Sequence, residues 1–196
     1  MGNPVRRDIV AIAPKKETHS PLRMLVIGGS LGAKALNEAV PAVCKNLYGL
    51  TIRHQAGKGN AEAVRSAYAS GSVDVQVSEF IKDMAAAYDW ADFIVCRAGA
   101  LTVAEVAAAG LPAVFVPLPH AVDDHQTKNA LSLVEAGAAV LLPQTELQSG
   151  LGKVLENWLR HPQSCLAAGR KARQAAITNA TQRVAEQCAL LTGDKA

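Results

Sequence analysis

The sequence predicts an α/β domain built on a mainly parallel, doubly wound, six-stranded sheet with helices on both faces. Short apolar, β-favouring runs alternate with longer helix-patterned segments about six times along the 196 residues. Small-residue turns join strand to helix at Gly28-Gly-Ser-Leu-Gly32 and at Gly99-Ala100. Runs such as Phe93-Ile-Val-Cys96 are continuously apolar, as in strands buried on both faces.

Asn3-Pro-Val-Arg6 is an extended lead-in, because a residue before proline avoids the helical region. Asp8 to Ala13 suits a short strand. Pro14 to Pro21 is polar and bracketed by prolines, as in a solvated linker. Arg23 to Ile27 is the first core strand, and Ala33 to Asn46 the helix after it. Thr51 to His54 and Gly59 to Tyr68 form the next strand and helix. Asp74 to Val77 is a short third strand, and Lys82 to Trp90 a helix with an inward aromatic and alanine face. Phe93 to Cys96 is the fourth strand. Its helix runs from Leu101 to Ala109, with Gly110 as the C-terminal stop. Leu111 to Pro119 is the fifth strand, and the segment from His120 feeds a helix ending near Gly137. Ala138 to Leu142 is the sixth. Glu146 to Arg160, Pro162 to Ala175 and Asn179 to Leu191 are closing helices.

Composition bounds the function. Hydrophobic residues make up 49% and charged ones 19%, the profile of a globular chain with a sizeable core. A net charge of +3 and 4% aromatics offer neither a basic groove nor a stacking platform, so nucleic acid is not an expected partner. The apolar runs fall short of a membrane span, and the N-terminus lacks the apolar core of a signal peptide. Cys44, Cys96, Cys165 and Cys188 are widely spaced and predict reduced thiols, with neither zinc nor a disulfide.

The candidate site residues gather at carboxyl ends of strands, where open α/β sheets bind ligands. The turn at Gly99-Ala100 opens a helix whose unpaired N–H groups and dipole suit a phosphate. Thr102-Val-Ala-Glu105 has two readings: a capping box, or a phosphate-holding Thr102 with Glu105 accepting from a ribose diol. The Gly28 to Gly32 turn has strand–turn–helix form but neither G-x-G-x-x-G nor P-loop spacing. It is a tight connection or a phosphate loop. Phe80 and Ile81 are core, or a wall for a base whose edge meets the Ile81 backbone. His54-Gln55 stands where a nicotinamide-binding unit carries an acid, which argues against a dinucleotide, and His54 suits a hydrogen-bonded strand end better than a catalyst. Asp123-Asp-His-Gln126 is again a capping box or a sugar-binding segment. Its adjacent acids diverge on a helix, so no shared metal is expected. Together Ser30, Phe80, Ile81, Ala100 to Glu105, Gln126 and Asn129 suit a nucleotide-sugar site.

These stretches also carry a family resemblance. Asn3-Pro-Val-Arg6, Gly28-Gly-Ser-Leu-Gly-Ala33, His54-Gln-Ala-Gly-Lys58, Glu79-Phe-Ile-Lys-Asp-Met84, Cys96-Arg-Ala-Gly-Ala-Leu-Thr-Val-Ala-Glu105 and Asp123-Asp-His-Gln-Thr-Lys-Asn129 stand in order across residues 2 to 142. The chain resembles the donor-binding half of the MurG family, the peptidoglycan N-acetylglucosaminyltransferases of glycosyltransferase family 28. The resemblance implies one Rossmann-like half of a GT-B fold, with an interdomain linker and lead-in over 1–21 and a UDP-sugar-binding domain over 22–178. A C-terminal helix over 179–196 would pack on an N-terminal domain outside this chain. Ile81 would read uracil through its backbone with Phe80 beside it, and Glu105 would accept from the ribose. Ala100, Leu101, Thr102, Ser30 and Arg6 would bind the diphosphate, with Arg6 and Thr102 stabilising the leaving group. Gln126, with His125 and Asn129, would contact the sugar; Leu31 is given no role.

The implied reaction is inverting transfer of N-acetylglucosamine from UDP-N-acetylglucosamine to lipid I, giving lipid II, without metal or other cofactor and with no catalytic residue in this half. Lipid I would be met through the N-terminal half, at the cytoplasmic side of the bacterial inner membrane, where only the full protein would associate; this piece alone would be soluble and inactive. The readings kept beside it are a UDP-sugar epimerase fragment and a non-enzymatic nucleotide-sugar-binding module.

Overall fold

The computed structural model describes residues 2–29, 31–119 and 124–192. Six parallel strands lie in the order β3-β2-β1-β4-β5-β6: β1 Leu22–Ile27, β2 Leu50–Gln55, β3 Asp74–Ser78, β4 Phe93–Cys96, β5 Ala113–Phe115 and β6 Ala139–Leu141. The chain order reverses between β1 and β4, and the carboxyl edge beside such a switch is where open sheets of this kind receive ligands.

Period-two alternation divides the core. Met24, Val26, Phe93, Val95 and Val114 point to one face, where they meet Leu36 and Val40 of α2 (Lys34–Cys44), Val64 and Tyr68 of α3 (Ala61–Tyr68), and Leu151, Leu155 and Trp158 of α7 (Leu147–Arg160). Leu25, Ile94, Cys96, Ala113 and Phe115 point to the other. There they meet Tyr88 of α4 (Met84–Trp90), Val106 of α5 (Ala100–Ala109), Leu133 of α6 (His125–Glu135) and Ala172 of α8 (Pro162–Ala175). The α5 helix is apolar nearly all round because α1 (Arg7–Val10), α4, α6 and α8 surround it. Gly110 ends it in the left-handed conformation, φ 69°, and its N–H bonds back to Ala107 O, as a glycine stop requires.

The segment expected as a strand over Asp8 to Ala13 is instead a helical turn, α1 (Arg7–Val10). Ile9 and Ile12 are both buried, at 0% and 7% exposure. That three-residue spacing is helical, and alternation along a strand would have put the two on opposite faces. The polar linker that follows is pinned at the amino edge of the sheet. Asp92, its side chain fully enclosed, accepts from the Arg23 and His19 N–H groups and lies 2.9 Å from His19 Nδ1. At the other end, α9 (Ala180–Thr192) is exposed along most of its described length, with Leu190 74% accessible. No described helix is long and apolar enough to cross a membrane.

His54 belongs to the fold. Asn37 Nδ2 donates to Ala56 O, which turns Asn37 Oδ1 towards His54 Nε2 at 3.0 Å. Nε2 therefore carries the proton, and Nδ1 accepts from Tyr68 Oη at 2.9 Å. Burial pulls the ring down from 6.5 to about 4. The native ring is neutral, whereas an unfolded chain takes up a proton below 6.5. The stabilisation from this group is complete above pH 6.5 and is lost as pH falls towards 4, by about 3 kcal/mol over the window. Urea titrations at pH 7 and pH 4.5 are expected to show that slope, and His54→Asn to flatten it.

Candidate functional site

At the carboxyl edge a cleft of about 710 Å³ opens between Gly28, Gly29, Gly32 and Ala33 on one side and Arg97, Leu118 and Gln126 on the other. Its floor is the switch between β1 and β4. Two buried or half-buried side chains tie the loops that form its rim. Gln55 Nε2 donates to Gly29 O and Glu79 O, joining the ends of β1, β2 and β3. Arg97 Nη1 donates to Val116 O and Pro117 O, and Nη2 to Gln144 Oε1, joining the ends of β4, β5 and β6. Neither residue stood out in the sequence reading. Gln55 is the last residue of β2 and Arg97 the first beyond the end of β4, where a polar side chain can reach sideways to neighbouring carbonyls, and that position was the available signal.

The α5 N-terminus is built for an anion. Gly99 is the N-cap with no side-chain bond, and the first helical bond runs from Val103 N–H to Gly99 O. The N–H groups of Ala100, Leu101 and Thr102 therefore precede the hydrogen-bond ladder. This overturns the capping-box reading of Thr102 and Glu105. The helix starts two residues before Thr102, so Glu105 sits in its second turn, too far along to reach back to the N-cap. Glu105 instead accepts from Tyr88 Oη at 2.9 Å and pairs with Arg6 Nε at 3.4 Å. Arg6 thus meets the carboxylate assigned to the ribose. Asn3 Nδ2 donates to Ala100 O at 3.3 Å, which holds the lead-in segment against the same helix end.

Burial and the nearby Glu105 carboxylate push the Tyr88 phenol far above its usual range. Tyr88 is therefore a donor at every working pH, and it fixes one Glu105 oxygen. Tyr88→Phe keeps the ring and removes the donor, and is expected to lower stability by about 1 kcal/mol in denaturant titrations.

The remaining sequence-chosen residues divide. Ile81 is half-buried against the α4–α5 side of the core, while Phe80 is 62% exposed beside it, just past the end of β3. Leu101 is 60% exposed at the α5 start. Gln126 lines the cleft, and its Oε1 accepts the Leu118 N–H at 3.0 Å. The α6 N-cap is Asp124, at φ 50°, so Gln126 follows too closely to be the partner in a capping box. Asn129 Nδ2 donates to Ala98 O, tying α6 to the turn before α5. His125 is exposed at the first position of α6. Ser30 and Asp123 lie outside the described residues. Among the described residues no group of three His, Cys, Asp or Glu is placed to hold a metal ion.

The model of the glycosyltransferase family 28 C-terminal domain matches residues 23–187. The UDP-N-acetylglucosamine–N-acetylmuramyl-(pentapeptide) pyrophosphoryl-undecaprenol N-acetylglucosamine transferase of Aeromonas hydrophila is 56% identical over 193 residues, covering 96% of this chain and 53% of that protein. Its counterpart in Tolumonas auensis is 54% identical over 197 residues, covering 97% and 56%. The crystal structure of Acinetobacter baumannii MurG is similar at a TM-score of 0.84 and 47% identity, over 91% of this chain and 54% of that one. A Staphylococcus aureus MnaA–UDP structure, at TM-score 0.63 and 10% identity, shares the fold alone. The chain spans about half the length of the curated relatives it matches. With the match running from the first core strand into the last helix, the chain belongs to the glycosyltransferase family 28 C-terminal domain family.

Proposed function

We propose that the chain is the donor-binding half of an inverting transferase that moves N-acetylglucosamine from UDP-N-acetylglucosamine to lipid I, forming lipid II. One observation carries the reading. The open α5 N-terminus, the Glu105–Arg6–Tyr88 group, Ile81 and Gln126 all lie around the carboxyl edge of one sheet, in a chain whose relatives bear that transferase's name.

In this reading the uracil lies by Phe80 and Ile81, the ribose hydroxyls donate to Glu105, and the diphosphate sits over Ala100, Leu101 and Thr102. As the glycosidic bond breaks, negative charge collects on the diphosphate. The helix dipole, the three N–H groups and Arg6 stand ready for that charge, so little reorganisation accompanies it. The chemistry assigned to these residues is donor binding and leaving-group stabilisation, with no metal or other cofactor. The acceptor, its activating base and any contact with the inner membrane belong to the rest of a full-length protein. Isothermal titration with UDP-N-acetylglucosamine, UDP and ADP, with and without EDTA, tests the reading. A uridine preference that survives EDTA is expected; equal affinity for ADP, or loss of binding with EDTA, counts against it.

A further inference from the structure

The two loop ties differ in what they hold. The Gln55 tie lies between the glycine turn and the Glu79–Ile81 segment, on the uridine side of the proposed site. The Arg97 tie lies on the opposite wall, and its partners lead to Gln126. Arg97 Nη1 bonds Val116 O at 3.1 Å and Pro117 O at 2.9 Å. The next residue, Leu118, gives its N–H to Gln126 Oε1 at 3.0 Å. Nη2 reaches Gln144 Oε1 at 2.7 Å, beyond the end of β6. With one Oε1 lone pair taken by the Leu118 N–H, the Gln126 amide is held in one orientation, and its two N–H donors have no protein partner among the described residues. The amide orientation follows from this network: Leu118 N–H is a donor and requires the oxygen.

We propose that Arg97 is a positioning residue for the sugar subsite: through the 116–118 loop it fixes Gln126 as a hydrogen-bond donor, so the subsite selects a sugar by the position of an accepting oxygen. The inference deepens the donor-binding reading and rests on it. A planar fork suits the task. Three acceptors on two loops are held by two nitrogens in fixed relative orientation, which a lysine ammonium cannot reproduce. Among the described residues Arg97 has no carboxylate within ion-pair distance, so its role is to order neutral carbonyl and amide oxygens. A ligand oxygen placed for Gln126 finds a donor already in position; an epimer with that oxygen displaced leaves the donor unpaired, and this mismatch is the source of the selectivity.

The test compares Arg97→Lys and Arg97→Met with the unmodified chain, titrating UDP, UDP-N-acetylglucosamine and its C4 epimer UDP-N-acetylgalactosamine. Both variants are expected to keep UDP affinity within twofold. Their preference for one epimer over the other should fall at least fivefold towards none. Affinities for all three ligands falling in parallel, or Arg97→Lys keeping full epimer preference, overturns the proposal. Gln144→Met removes one acceptor of the fork and leaves the arginine, so it serves where the Arg97 variants do not fold; it should lower epimer preference at least twofold, and no change contradicts the clamp. Amide exchange without any ligand separates the clamp from the binding reading. Leu118 N–H is expected to exchange at least tenfold faster in Arg97→Lys, and unchanged exchange overturns the clamp. An unmodified chain that binds no uridine nucleotide overturns the donor-binding reading instead, and the sugar-selecting role with it.

Discussion

Gly57→Ala is expected to destabilise the chain by about 3 kcal/mol or more. Gly57 has φ 85°, where a Cβ costs roughly 1–2 kcal/mol. A methyl group there would also lie 2.3 Å from Gly32 N and 2.5 Å from Gly32 Cα. The contact is mutual, since a Cβ on Gly32, at φ 75°, would stand 2.0 Å from Ala56 O. The turn after β1 and the turn after β2 are therefore pressed backbone to backbone, and neither can give way without moving the glycine loop that walls the cleft. Overpacking of this sort adds roughly 1–3 kcal/mol to the conformational cost. Gly59 is the internal control. It has φ 76° but open space around the missing Cβ, so Gly59→Ala should show the conformational cost alone, roughly 1–2 kcal/mol. Urea titration of both variants checks the account. Equal losses would mean that the two turns do not interlock.

Glu105→Gln is expected to weaken UDP binding by roughly 1–3 kcal/mol, the size of a lost charge-assisted partner. The substitution suits the site because the fold's own claim on the carboxylate is small. Gln can still accept from Tyr88 Oη, and the pair with Arg6 is half in solvent, with Arg6 50% exposed. Surface pairs of that kind contribute little. A structural role would lower the melting temperature and leave UDP affinity untouched, whereas a ribose-binding role does the reverse. Calorimetric titration beside a melting curve separates them.

Strand and helix order was legible in the sequence because the signals were strong ones: continuous apolar runs such as Phe93 to Cys96, and glycine stops such as Gly110. The misreadings came from short-range signals that more than one structure satisfies. Four residues of α1 gave too short a window to separate period two from period three and a half, and only the burial of Ile9 and Ile12 together decides it. Thr102-x-x-Glu105 has the spacing of a capping box, but the helix begins at Ala100 because the turn before it is already closed by Gly99. Contacts between distant segments were out of reach of pattern reading. Arg6 beside Glu105, Tyr88 under it, and Arg97 reaching Val116 and Gln144 all depend on how the sheet brings strand ends together. Strand order, which places β1 next to β4, carries that information, and it emerges only from the fold.

The most direct measurement is a UDP titration followed by amide chemical shifts of the labelled chain. The expected result is one saturating set of changes at Ile81, Ala100 to Glu105 and the 28–33 turn, stronger for UDP than for ADP. Changes gathered instead at the amino edge around Asp92 and His19, or equal responses to both nucleotides, would contradict a uridine diphosphate site at the carboxyl edge.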